Sequence, residues 1–117
     1  MNIEELRDFC IAKKAVTESF PFDDKVLVFK VMNKMFALVN VEQGESVNLK
    51  CDPDKAIELR ELFQGVIEGY HMSKKHWNTV LLKSDVNYGL LTELIDHSYD
   101  LVVSKLTKKE QETLNKL

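Results

Sequence analysis

The chain is poor in the residues that would announce a chemistry. It has two cysteines, Cys10 and Cys51, far apart and without metal-ligand spacing, so a disulfide framework or a thiolate metal site is not expected. Its four glycines stand alone, so there is no glycine-rich phosphate loop, and no nucleophile motif is present either. No apolar run approaches the ~18 residues of a membrane span. The opening residues carry Glu4 and Glu5 rather than a basic leader, so a cytoplasmic protein without signal peptide or membrane contact is expected. An overall basic charge is missing too: the net charge is −3 and the pI about 5.6. Any binding of nucleic acid must therefore be local and sensitive to salt.

What is present is an ordinary globular composition, 44% hydrophobic and 30% charged over 117 residues, which is enough for one domain spanning 1–117. Asn2 and Glu5 read as a capping box for a helix running to about Lys13, with Ile3, Leu6, Phe9 and Cys10 on one face. Cys10 on that face reads as a small buried hydrophobe. Val26 to Val31, Met35 to Val41 and Ser46 to Lys50 read as strands joined by turns at Asn33-Lys34 and Gly44. In the third strand Val47 and Leu49 point inward while Ser46, Asn48 and Lys50 point out, as in an antiparallel sheet with one face in water. Val16 to Phe20, stopped by Pro21, is a candidate further edge strand.

Asp52-Pro53 starts a helix with Ala56, Leu59, Leu62 and Phe63 on its buried stripe and a stop at Gly65. Trp77 to Leu82 forms another strand after a loop through Gly69. Asp85 is expected to cap a long helix from Val86 to about Ser104, with Leu90, Leu91, Leu94, Ile95, Leu101 and Val102 apolar, and Thr107 with Glu110 a last short one. The expected architecture is α+β, an antiparallel sheet with helices on one face, in the order α-β-β-β-α-β-α-α.

The most informative stretch is Tyr70-His71-Met72-Ser73-Lys74-Lys75-His76-Trp77-Asn78-Thr79-Val80. From Tyr70 to Ser84 there is no acid, and Lys74, Lys75 and Lys83 make the local charge +3. Cations beside stacking rings and amide donors suit an anionic or planar partner. Lys74, Lys75 and Lys83 are candidates to neutralise phosphate, with Ser73 and Asn78 as neutral donors and Tyr70 or Trp77 to stack. Lys30, Lys34 and Lys50 would extend that track. Against this, lysines are ordinarily just solvated and a lone tryptophan ordinarily anchors a core. Asp52, Asp54, Glu58, Glu61 and Glu68 would repel phosphate if they shared the surface.

Two other classes compete. The outward Ser46, Asn48 and Lys50 with Asn78 or Thr79 form a polar sheet face on which a protein or a small ligand could dock, beside the His71/His76 loop. Catalysis or metal binding would need His71, His76 or His97 to converge with an acid or thiol, and His97 cannot project together with both Asp96 and Asp100. Neither cofactor nor metal is expected. Glu4, Glu5 and Asp8 read as a solvated helix edge.

Taken together, Glu18-Ser19-Phe20-Pro21-Phe22, Val28-Phe29-Lys30-Val31, Lys34-Met35-Phe36-Ala37, Asn48-Leu49-Lys50-Cys51-Asp52-Pro53, the run from Tyr70 to Val80 and Ser98-Tyr99-Asp100-Leu101-Val102 resemble the MmcQ/YjbR family in order and spacing. The resemblance implies a frataxin-like (CyaY-like) fold and a non-catalytic, DNA-binding protein with a "double wing" of strands. On that reading Lys74, Lys75, His76, Trp77, Asn78, Lys83, Lys34 and Lys50 would contact DNA, and Tyr70 and His71 would shape the loop.

Overall fold

The computed structural model describes residues 1–69 and 72–117. Tyr70 and His71 lie outside the described residues. The chain runs α1 (Ile3–Ile11), β1 (Val16–Ser19), β2 (Val26–Val31), β3 (Lys34–Asn40), β4 (Ser46–Lys50), α2 (Pro53–Leu62), β5 (Val66–Glu68), β6 (Trp77–Leu81), α3 (Tyr88–Ser104) and α4 (Lys108–Asn115). Among the described residues the strands form one sheet in the order β1-β2-β3-β4-β6-β5, antiparallel throughout. The α+β architecture is thus as expected, with two additions. The candidate edge strand at Val16 is real and pairs with β2. β5 was not expected; at three residues it is too short to show a period of two, and it forms because β6 offers it an edge.

Helix starts follow local chemistry. Asn2 and Thr107 each close a capping box with the glutamate three residues on, and the Asp52 carboxylate accepts from Lys55 N ahead of Pro53. The start of α3 differs from expectation. Asn87, not Asp85, is its cap, and Asp85 instead accepts from the Gln64 and Gly65 amides at 2.9 and 2.7 Å. Those two hydrogen bonds hold the Asp85 carboxyl below the usual aspartate range. Likewise α2 ends at Leu62, which is exposed, so its buried stripe is Ala56 and Leu59, with the half-buried Phe63 of the C-cap packed against the core.

The main core lies between the sheet and the helices. Leu27, Phe29 and Val31 of β2 meet Val47 and Leu49 of β4, with Leu6 and Cys10 from α1 and Leu91, Ile95 and Val102 from α3. Burial pushes the Cys10 thiol up to about 12, so it stays protonated, as a buried small hydrophobe does. The opposite face is not uniformly wet. Val28, Leu38 and Trp77 bury one another there, with Val26, Met35 and Met72 around them.

Two backbone features shape one end of this sheet. The β2–β3 turn is centred on Met32 and Asn33, one residue earlier than expected, and both have positive φ (48° and 66°). Positive φ at both central residues lets a two-residue turn match the strand twist. Methionine seldom adopts it, and here the half-buried Met32 side chain packs on the core in return. Beyond the turn, Phe29 pairs with Ala37 but Lys30 with Met35, so Phe36 is an extra, bulged residue. Phe36 and Ala37 consequently both point into the core. The β3–β4 ladder stops at Ala37–Leu49.

The Ser98 hydroxyl of α3 fills the resulting gap. It donates to Phe36 O at 2.5 Å and accepts from Lys50 N at 2.9 Å, standing in for the missing rung. Ser98→Ala would leave the buried Phe36 O and the half-buried Lys50 N unpaired, costing about 1–3 kcal/mol. Urea unfolding at constant slope is the measurement, and an unchanged midpoint would show that the two strands re-pair without the hydroxyl.

Candidate functional site: a lysine-rimmed cleft at the sheet end

Where β3 and β4 part, several chain segments converge. The Met32–Asn33 turn closes one side, β4 ends at Lys50, and β6 begins at Trp77, whose Cα pairs with that of Lys50. One turn beyond Ser98, the end of α3 supplies Val102, and its cap supplies Lys105. Together these enclose a cleft of about 310 Å³, with Lys34, Lys50 and Lys105 around Met35, Trp77 and Val102, and Asn33 beside them. That volume is at the lower end for small-molecule sites.

Among the described residues, none of these three lysines makes an ion pair. Lys34 acts at a distance on Glu110, whose carboxyl lies below its usual range chiefly through hydrogen bonds to Thr107, with Lys34 adding to the effect. Three lysines lining one partly apolar cleft give this part of the surface a positive potential, although the chain as a whole is acidic.

The residues singled out from the sequence separate into three groups. Lys34, Lys50 and Trp77 do come together, in this cleft. Trp77 is only 8% exposed and packs on Val28 and Leu38, so it presents a margin to the cleft rather than a stacking platform. Lys74, Lys75 and His76 occupy the exposed turn just before β6, at the same sheet end. His76 O accepts from Cys51 N at 2.8 Å, tying that turn to the end of β4. Lys74 is partnered: its ammonium lies 3.3 Å from Glu68, a solvent-exposed pair that reduces its availability only modestly.

Lys83 and Asn78 belong elsewhere. The length of β6 separates Lys83 from Lys75, roughly 17 Å at about 3.4 Å per residue. Asn78 is buried on the helix-covered face, where it donates to Ala56 O and accepts from Arg60 Nη1 at 3.1 Å. The same Arg60 nitrogen donates to Lys74 O at 2.9 Å, so Asn78 and Arg60 fasten the 72–76 turn to α2. Asn78 is therefore a positioning residue and not a surface donor. Thr79, on the other face, is buried and donates to Oδ1 of the half-buried Asn48. Gly69 completes the support: a Cβ there would lie 2.8 Å from Trp77 Cβ and O, so only glycine lets the chain pass this close to the start of β6.

Lys105, Val102, Met35 and Asn33 were not anticipated. The Lys105-Leu106-Thr107-Lys108-Lys109 segment carried a signal, three lysines in five residues, that sequence reading took only as a helix junction.

A model of the YjbR family matches residues 11–101. The chain belongs to the YjbR family. It is 34% identical to the uncharacterised protein YjbR of Escherichia coli K12 over 118 residues, covering all of both chains. It is 38% identical to the uncharacterised YbdF of Escherichia coli O157:H7 over 93 residues, 79% of this chain and 76% of that protein. Among solved structures, Deinococcus radiodurans protein DR2400 superposes with a TM-score of 0.89 at 42% identity, over 97% of this chain and 87% of that one. A Pseudomonas syringae protein superposes at 0.74 with 27% identity, over 86% and 98%. The names of these YjbR relatives assign no activity.

His97 has a structural part. Its Nε2 accepts from Asp52 N at 3.2 Å, which requires the neutral ring. Burial, with Lys55 assisting, holds its pKa below the usual histidine value. The unfolded chain therefore takes up this proton first. The contribution is complete above about pH 6.5, the ordinary histidine value, and is lost as pH falls from there through the lower folded pKa. Urea midpoints should fall between about pH 7.5 and about pH 5.5, and His97→Gln should flatten that dependence. An equally steep dependence in the variant would place its origin elsewhere. Among the described residues no three histidine, cysteine, aspartate or glutamate side chains gather as metal ligands, and no helix is long and apolar enough to cross a membrane.

Proposed function

We propose that the protein is a non-catalytic DNA-binding member of the YjbR family that holds the phosphate backbone at one end of its sheet. The observation that carries this reading is the convergence of Lys34, Lys50 and Lys105 on one cleft, without carboxylate partners among the described residues, in a chain of net charge −3. Lys75 and His76 extend the same surface along the turn before β6, and the β2–β3 hairpin tip projects beside it as a wing. Binding of this kind is dominated by release of counterions, so it is weak at physiological salt and indifferent to sequence.

The reading ranks the lysines. Lys50 and Lys105 contact phosphate from the cleft, and Lys75 does so from the turn. Lys74 contributes less because Glu68 already faces it. Lys83, at the far end of β6, contributes least.

Fluorescence anisotropy with a labelled duplex, between about 50 and 200 mM salt, measures this directly. The slope of log K against log salt should fall by about one for each of Lys50→Gln, Lys105→Gln and Lys75→Gln, and by less for Lys83→Gln. A parent protein without salt-dependent binding, or equal losses for Lys83 and Lys105, would refute the assignment.

A further inference from the structure

The cleft has more than charge. A surface that only tracks a duplex backbone needs a shallow cationic strip, whereas here the strands part to leave a half-open cleft of about 310 Å³. Its walls are divided by chemistry. Met35, Val102 and the margin of Trp77 are apolar, while Lys34, Lys50 and Lys105 line the same opening with cationic side chains. A hydrated phosphate would use the lysines and leave the apolar wall wet. A purely apolar ligand would leave three cations crowded and uncompensated. The occupant that satisfies both walls is an anion with a planar, weakly polar body, and Asn33 offers that body an amide able both to donate and to accept.

We infer that this cleft holds a single nucleotide, with the phosphate among Lys34, Lys50 and Lys105 and the base against Met35, Val102 and the edge of Trp77. The choice of a nucleotide rests on the DNA-binding reading above. It adds that a nucleotide must leave its stack to enter, so an unpaired strand binds better than a duplex of equal length. The backbone contributes as well: the Phe36 bulge and the bridging Ser98 hydroxyl hold β3 and β4 apart through hydrogen bonds within the protein itself.

Trp77 is the only tryptophan of the chain, so its emission reports on this cleft alone. The full chain is titrated with thymidine 5′-monophosphate, inorganic phosphate, thymidine, an oligothymidylate and a duplex of equal length. Thymidine monophosphate should change Trp77 emission saturably, at a concentration about ten-fold below that needed for inorganic phosphate or thymidine. Lys105→Glu, a change at an exposed position, should weaken that response about ten-fold or more, with Lys34→Gln as a second variant and circular dichroism as the check on folding. The oligothymidylate should bind more tightly than the duplex and displace the monophosphate.

Equal binding of duplex and single strand, with no saturable response to the monophosphate, would overturn the nucleotide site and leave backbone binding intact. Inorganic phosphate as effective as the monophosphate would overturn it as well, because no base would then be entering. A saturable monophosphate response in a protein that binds no oligonucleotide would support the cleft and refute the DNA-binding reading.

Discussion

The hydroxyl of Ser98 replaces one rung of a β-ladder, and the arrangement of the site follows from that replacement. A bulge at Phe36 puts two consecutive residues into the core and turns β3 away from β4. The backbone groups exposed by the split would be costly if left buried without partners. Ser98, itself fully buried on α3, satisfies Phe36 O and Lys50 N together. Because the same helix turn leads to Val102 and Lys105, one hydrogen-bonded residue sets both how far the strands part and which side chains flank the opening.

Electrostatics then give the opening its character. Four cations elsewhere meet acids: Arg7 with Glu18, Lys13 with Asp96, Lys25 with Glu42, Lys74 with Glu68. At the sheet end, lysines from three different elements line one cleft. None of them is close to another in sequence, so each had to be brought there by the fold. Crowding like charges opposes folding slightly, and an arriving anion relieves that cost.

Much of the architecture was readable locally because it depends on local chemistry. The boxes at Asn2 and Thr107 and the Asp52-Pro53 start are short-range signals, and the alternation of Val47 and Leu49 needs only one strand. Where two local signals competed, distant partners decided. Asp85 and Asn87 are both good caps, and the Gln64 and Gly65 amides took the first, leaving the helix start to the second. β5 and the Met32 turn were hidden for the same reason, since each is stabilised by residues far along the chain. Of the residues singled out in the sequence, Trp77 and the outlying Lys34 and Lys50 line one cleft, but Asn78 faces the helices and Lys83 the other end, because strand alternation and strand length separate what sequence proximity joined. Lys105 joins the set only through the packing of α3, which no local pattern encodes.

The most direct test of the central claim is an amide and indole chemical-shift map of the isotopically labelled chain, titrated with a short DNA strand at low salt. The account predicts that shifts concentrate at Lys34, Lys50, Lys105 and the Trp77 indole and fade as salt is raised. Shifts centred on Lys83, or on the outer edges of β1 or β5, with this cleft silent, would contradict it.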